Sequence, residues 1–247
     1  MLDYRGLQDV YFIALYWGVA LLAVAACLYL LFRRRNVFMR EDAPQGEPPR
    51  AGLMMRSSLR LRRWTAALMA AMAASHVWWY AVGMYWLADD WLVRTILVIM
   101  FDYATLVPLT MGVLLAMLQD HCRPLWPWLV VQLPVVMFAV AGIDSRDWTM
   151  GNDLPHYYQL AVIAAFVVYY IFAVRRYGRW LLDNYADLDC KEVWQSLVFA
   201  MALFPIYIIY TSNAGELTRE YLSQVISIAI IAFMLWRVET LQELEEN

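Results

Sequence analysis

The sequence predicts an all-α, polytopic membrane protein: a bundle of seven transmembrane helices, N-terminus outside and C-terminus cytoplasmic. Three observations predict it. Hydrophobic residues fill 63% of 247 positions and the mean hydropathy is +0.50, far above an ordinary soluble domain. Apolar stretches at about 11–32, 64–87, 92–118, 125–143, 157–174, 194–212 and 220–236 occupy almost the whole chain, and roughly 20 apolar residues carry a helix across a hydrocarbon core about 30 Å thick. The basic residues, finally, gather on alternate sides of these stretches. Isolated strands would leave backbone groups unsatisfied in lipid, and the stretches are too long and too evenly apolar for barrel strands.

The charge pattern sets the orientation. Arg33, Arg34, Arg35, Arg40, Arg50, Arg56, Arg60, Arg62 and Arg63 lie between the first two stretches, and Arg175, Arg176, Arg179 and Lys191 between the fifth and sixth. Arg123 and Arg237 join that side if the helices alternate. The opposite side holds Arg5, Arg94, Arg146 and Arg219 among many carboxylates. The positive-inside rule assigns the arginine-rich side to the cytoplasm, with the chain in the cell inner (plasma) membrane. Trp86, Trp91, Trp126, Trp128, Trp148, Trp180, Trp194 and Trp236 sit at predicted helix ends, where an interfacial aromatic belt belongs.

Taken in order, the first stretch contains Val24-Ala25-Ala26-Cys27, a loose likeness to a lipoprotein cleavage box. Asp3 and Asp9 outweigh Arg5 ahead of it, however, and apolar residues continue to Phe32. It is therefore an uncleaved span. The loop over 33–63 has a polar, proline-rich centre from Glu41 to Arg50, which predicts disorder. The basic amphipathic segment Leu53–Trp64 then anchors topology, with anionic lipid headgroups as its alternative partner. Stretches two and three are joined by a very short turn and should pack as neighbours. Pro108, Pro134 and Pro205 should loosen the third, fourth and sixth helices, a tolerated feature in membranes. The outer loops, 88–91, 144–156 and 213–219, are too short to form a binding domain.

In the loop Tyr177–Ser196, Asp189 and Glu192 have capping-box spacing, which starts the sixth helix near Cys190. The acidic cluster Asp183, Asp187, Asp189 and Glu192 lacks the spacing of a calcium loop. The seventh helix should run past Trp236 as a helical tail over 237–247. Met234, Val238 and Leu241 there have the four-then-three spacing of a coiled-coil seam. That tail is either a short solvated end or the stub of a signalling helix.

Several chemistries are excluded. A retinal Schiff base needs a lysine inside a span, and the single lysine, Lys191, is in a loop. Cys27, Cys122 and Cys190 form neither a disulfide framework nor a zinc pattern. No paired histidines, HExxH, GxSxG or phosphate-cradling glycine loop occurs. No cofactor and no metal are expected.

Ionisable residues at membrane depth are functional candidates by default. His76 lies roughly 18 Å from the inner end of the second helix, and Asp102 roughly 15 Å from the outer end of the third, at about 1.5 Å per residue. Both should therefore sit near the midplane. A His76–Asp102 couple would sense or relay protons, because histidine titrates near neutral pH; a static interhelical contact is the structural alternative. Trp79 and Tyr80 border the face of His76, and Thr105 lies below Asp102. Tyr207, Tyr210, Gln132, Gln224 and Ser227 would add hydrogen-bonding groups to an outward-facing pocket.

The loop residues Asp183-Asn184-Tyr185-Ala186-Asp187-Leu188-Asp189-Cys190-Lys191-Glu192-Val193-Trp194-Gln195-Ser196 carry a resemblance. The YADL segment, short acidic spacer and KEVW resemble the loop between helices 5 and 6 of bacterial multi-pass sensor regulators. In those proteins a membrane bundle is followed by an AraC-type helix-turn-helix or a kinase module. The resemblance implies a signalling role for Tyr185, Asp187, Asp189, Lys191, Glu192 and Trp194. No helix-turn-helix sequence follows here, so direct nucleic-acid binding by this chain is not expected.

Together these features favour a non-enzymatic sensor domain that relays a stimulus from the outer face or bundle interior to a cytoplasmic output domain or partner, with the lipid bilayer and a second copy of the chain (a homo-oligomer) as further candidate partners. A small proton-coupled carrier using His76 and Asp102 is the alternative. A lipid-modifying enzyme ranks third, because no catalytic cluster gathers at one interface.

Overall fold

The computed structural model describes residues 4–33, 58–81, 91–145, 154–185, 191–211 and 216–244, and among them every regular element is a helix. In chain order these are α1 (Tyr4–Phe32), α2 (Leu59–Ala81), α3 (Trp91–Ala116), α4 (Trp126–Val131), α5 (Leu133–Ser145), α6 (Leu154–Asn184), α7 (Trp194–Thr211) and α8 (Glu216–Thr240). α4 and α5 are halves of one rod. Gln132 between them keeps a right-handed helical backbone (φ −79°, ψ −17°). Pro134 has no N–H to offer the carbonyl four residues back, so the predicted kink is a break, displaced to Gln132. Pro108 and Pro205, by contrast, lie inside continuous helices.

α2 is the central rod. It pairs most extensively with α1 and also packs on α3 and α8; α3 and α6 both meet α5, and α7 bridges α6 and α8. Its sequence explains the position. Ala66, Ala70, Ala73 and Ala74 keep the helix thin, and small residues let neighbouring backbones approach closely in a membrane. Its buried set, from Leu61 to His76, includes Arg62, Thr65, Ser75 and His76, so α2 brings polar groups into the bundle. On the α3 side Gly112 makes the close approach: a Cβ there would fall 2.8 Å from Trp64 Cε3.

The best-packed layer lies toward the α3 C-terminus. Met111 and every residue from Val113 to Leu118 are buried, together with Leu61, Leu68, Met69, Tyr170, Tyr177, Leu181, Ile231, Met234, Val238 and Leu241. Large apolar side chains such as Leu21, Phe32, Met137, Phe172 and Met201 cover the outside. Water does not tolerate so much contiguous apolar surface, whereas lipid does. Val10–Phe32, Leu154–Asn184 and Tyr221–Thr240 are long and apolar enough to cross a membrane, which associates the chain with one.

Three expectations change. α2 begins at Leu59, so only the end of the basic lead-in is described as helix. α6 runs to Asn184, converting the first half of the expected loop into helix. α7 begins at Trp194, and Lys191–Val193 are not helical, so Glu192 does not occupy the third position of that helix. Asp187 and Asp189 lie outside the described residues.

Gly112→Val should force Trp64 aside and lower stability by about 1–3 kcal/mol, as overpacking does. Gly18→Ala, where a Cβ meets nothing within 4 Å in the interior of α1, should raise the thermal midpoint slightly in the same detergent, because glycine in a helix costs about 0.5–1 kcal/mol relative to alanine.

Candidate functional site: two polar layers joined by α2 and α8

Ser75 and His76 are consecutive on α2, and consecutive helical residues point about 100° apart. That angle separates the two expected partners. Ser75, Trp78 and Trp79, spaced to share a face, turn toward α3. There Asp102 Oδ1 accepts from the Ser75 hydroxyl (2.6 Å) and the Trp78 indole (3.1 Å), while Oδ2 accepts from the Trp79 indole (2.7 Å). Three donors occupy a group that, ionised, only accepts. The Trp78 ring also meets Phe101 at 5.7 Å.

His76 turns instead toward α1 and α8. Its Nδ1 lies 2.8 Å from the Met72 carbonyl and its Nε2 3.1 Å from Gln224 Oε1. Tyr16 donates to the His76 carbonyl at 2.6 Å, and its ring packs on the imidazole at 4.7 Å. Phe12, Trp17, Tyr80 and Tyr221 extend this aromatic collar. The direct His76–Asp102 couple is therefore not formed. Thr105 also leaves the Asp102 site, because its hydroxyl bonds back to the Phe101 carbonyl. The side chains of Tyr207 and Tyr210 lie outside the description.

The imidazole has a chemical property that follows from this geometry. Nδ1 faces a carbonyl and must carry a proton. Nε2 faces a side-chain amide whose oxygen and nitrogen exchange by a half-turn. Neutral His76 takes an N–H from Gln224, and protonated His76 gives one to its oxygen.

A second layer closes the opposite end of the same helices. Arg62 Nη2 meets Glu239 Oε1 at 3.1 Å, with both side chains 3% exposed. Arg62 Nη1 donates to the Arg33 carbonyl at the end of α1. The pairs 62–239 and 76–224 run in opposite senses, so α2 and α8 are antiparallel and clasped at two levels about 21 Å apart (14 residues of α2).

The end of α8 is the hub of this layer. Helix α8 stops at Thr240, so the predicted continuous helical tail is not what forms. Instead Gln119 brackets the following backbone, donating from Nε2 to the Gln242 carbonyl and accepting the Leu244 N–H at Oε1, both at 2.9 Å. Met234, Val238 and Leu241, the supposed seam, are buried in this chain's own core. Arg237 donates to the Glu192 carbonyl (2.7 Å), and Tyr177 to that of Lys191 (3.2 Å). Arg60 donates to Cys122 Sγ and the Arg123 carbonyl, while Arg123 forks onto Asp120 at 2.5 and 2.7 Å. Of the loop residues, Lys191 lies 5.6 Å from the Tyr185 ring, and Trp194 is exposed.

The sequence reading missed Gln119, Arg62 and Glu239 as partners. Arg62 and Glu239 are 177 positions apart, and only an acidic residue just beyond an apolar span hinted at them. Inside the bundle, Gln132 and Gln159 bury both amide atoms without a hydrogen-bond partner among the described residues. Among the described residues no group of three His, Cys, Asp or Glu could hold a metal. Compared with protein-family models, curated proteins and solved structures, the chain matches none.

Arg62→Leu leaves Glu239 buried without its cation and should cost about 3–5 kcal/mol. Arg62→Met combined with Glu239→Leu should recover much of that loss in a chemical denaturation series. Asp102→Leu strips two indoles of their acceptor and should shift the intrinsic tryptophan emission; Thr105→Val should not.

Proposed function

We propose that the chain is a membrane sensor: seven spans, N-terminus outside, arginine-rich face in the cytoplasm, with α8 carrying a change at the His76 layer to a cytoplasmic output. The observation that carries this reading is the double clasp. The same two helices are joined at His76–Gln224 and, about 21 Å away, at Arg62–Glu239. A rigid helix held at both ends transmits displacement, whereas a helix held at one end absorbs it.

His76 is the natural input. Its neighbours differ on each side: Tyr16 on α1, Gln224 and Ser223 on α8, and Asp102 across α2 on α3. The inner hub is the natural output, because α8 there reaches the 119–123 turn through Gln119 and the 191–193 loop through Arg237. The recipient is a cytoplasmic protein or domain, the class implied by the resemblance at Asp183–Ser196.

A carrier is the second reading, favoured by two buried amides without partners among the described residues: Gln132, at the break between α4 and α5, and Gln159 on α6, whose neighbour Tyr158 donates to the Val131 carbonyl at that break. The engagement of Asp102 by three donors argues against a direct His76–Asp102 proton relay.

Lys191, the chain's single lysine, is a built-in reporter. In inverted membrane vesicles Gln224→Leu should change the rate of amine labelling at Lys191 several-fold, with insertion unchanged. An identical rate would sink the relay. Reporter fusions in the 33–58 loop and at the N-terminus test the orientation, with cytoplasmic signal expected only from the loop. Solute flux in reconstituted vesicles that Gln159→Leu abolishes would favour the carrier.

A further inference from the structure

The polar layer at Ser75 and His76 holds a carboxylate whose charge nothing described cancels. Asp102 accepts from three neutral donors, the Ser75 hydroxyl and Trp78 indole at Oδ1 and the Trp79 indole at Oδ2. Two carboxylate oxygens offer about four acceptor positions, so one remains, on Oδ2 beside Trp79. Among the described residues no arginine, lysine or histidine pairs with Asp102. His76, next to Ser75 on α2, has both ring nitrogens engaged elsewhere, by the Met72 carbonyl and Gln224. Neutral donors spread the charge of a carboxylate without cancelling it, and ionisable groups at membrane depth as a rule pair with an opposite charge.

The position is reachable, and its surroundings are aromatic. Asp102 is half-buried rather than enclosed. Trp79 and Phe101 beside it are 37% and 38% exposed, and the Trp78 ring packs on Phe101 at 5.7 Å. α2 ends at Ala81, about 9 Å along the axis from Ser75. The connecting residues 82–90 carry Asp89 and Asp90 and no basic residue, a balance that attracts cations. Aromatic rings suit such a ligand in two ways: their faces attract positive charge, and their area covers apolar substituents.

We propose that Asp102, with Trp78, Trp79 and Phe101, is a binding site for a lipophilic ammonium ion, which donates an N–H to the remaining position on Oδ2 and lays its apolar substituents against the rings. Charge and ring chemistry together decide the occupant. A metal cation needs several oxygen ligands, and the groups that bond Asp102 add one oxygen to its own two, the Ser75 hydroxyl. A neutral ligand leaves the charge uncancelled, and a small hydrated ion gains nothing from the rings. Ser75, Trp78 and Trp79 belong to α2, so an occupant acts on the helix that carries His76. It would thereby supply the stimulus of the sensor reading, on which that consequence, though not the binding, rests.

The full chain, purified in detergent, would be titrated with phenethylammonium chloride, reading heat by calorimetry and the thermal midpoint. The neutral isostere 2-phenylethanol and ammonium chloride, which lacks a ring, serve as comparisons. Saturable binding with a raised midpoint is expected for phenethylammonium, with both comparisons weaker by about tenfold or more, the size of one charge-assisted hydrogen bond. Asp102→Asn, which keeps the shape and loses the charge, should weaken binding about tenfold. Asp183→Asn, at an exposed carboxylate on α6, should stay within about twofold. Equal binding of phenethylammonium and 2-phenylethanol, uptake without saturation, full binding by Asp102→Asn, or equal loss with Asp183→Asn would each overturn the proposal. The ligand comparison uses the unaltered chain, so it decides even where Asp102→Asn fails to fold. Saturable binding beside an unresponsive Lys191 reporter would remove the relay and leave the site; a responsive reporter without binding would do the reverse.

Discussion

The ion pair between Arg62 and Glu239 is the constraint on which the half of this bundle around the start of α2 and the end of α8 depends. Two opposite charges taken out of water survive only if their remaining hydrogen-bonding capacity is met. Here that requirement draws in another element: Arg62 also binds the Arg33 carbonyl at the end of α1. The pair therefore pins α1, α2 and α8 at one level, and the chain after α8 is positioned for Gln119 to bracket its backbone. The tightly packed layer from Met111 to Leu118 sits beside this knot.

α2 organises the other polar layer by presenting different faces to different neighbours. Adjacent residues diverge by about 100°, so Ser75 serves α3 while His76 serves α1 and α8. The carboxylate of Asp102 is held by two indoles and a hydroxyl, which makes it a clasp between α2 and α3. The imidazole is held between the Met72 carbonyl and the Gln224 amide, which makes it a contact between α2 and α8. One helix thus carries two polar contacts to different neighbours within a single turn.

The outward surface follows a different logic. Along most of the helices it is apolar and suits any hydrocarbon, and near the end of α6 it turns basic, with Arg175, Arg176 and Arg179 exposed.

The sequence by itself determined that the chain is helical and membrane-associated, because hydropathy is a local sum and lipid leaves the backbone few alternatives. It also marked His76 and Asp102, since ionisable groups stand out against apolar neighbours. The structure placed helix ends within a few residues where apolarity ended abruptly, as at Phe32 and Thr211, and further off where arginines and aromatics carried the helix onward, as in α6. What the tertiary structure decided was partnership. Proximity along the depth axis suggested a His76–Asp102 couple, but the rotation of α2 sent the two toward different helices. Arg62 read as a topology anchor and Glu239 as part of a tail, because a contact across 177 residues leaves no local trace. Likewise Met234, Val238 and Leu241 had the spacing of an external seam, and the fold turned that face inward. Periodicity defines a face; only the packing of the other helices chooses what the face meets.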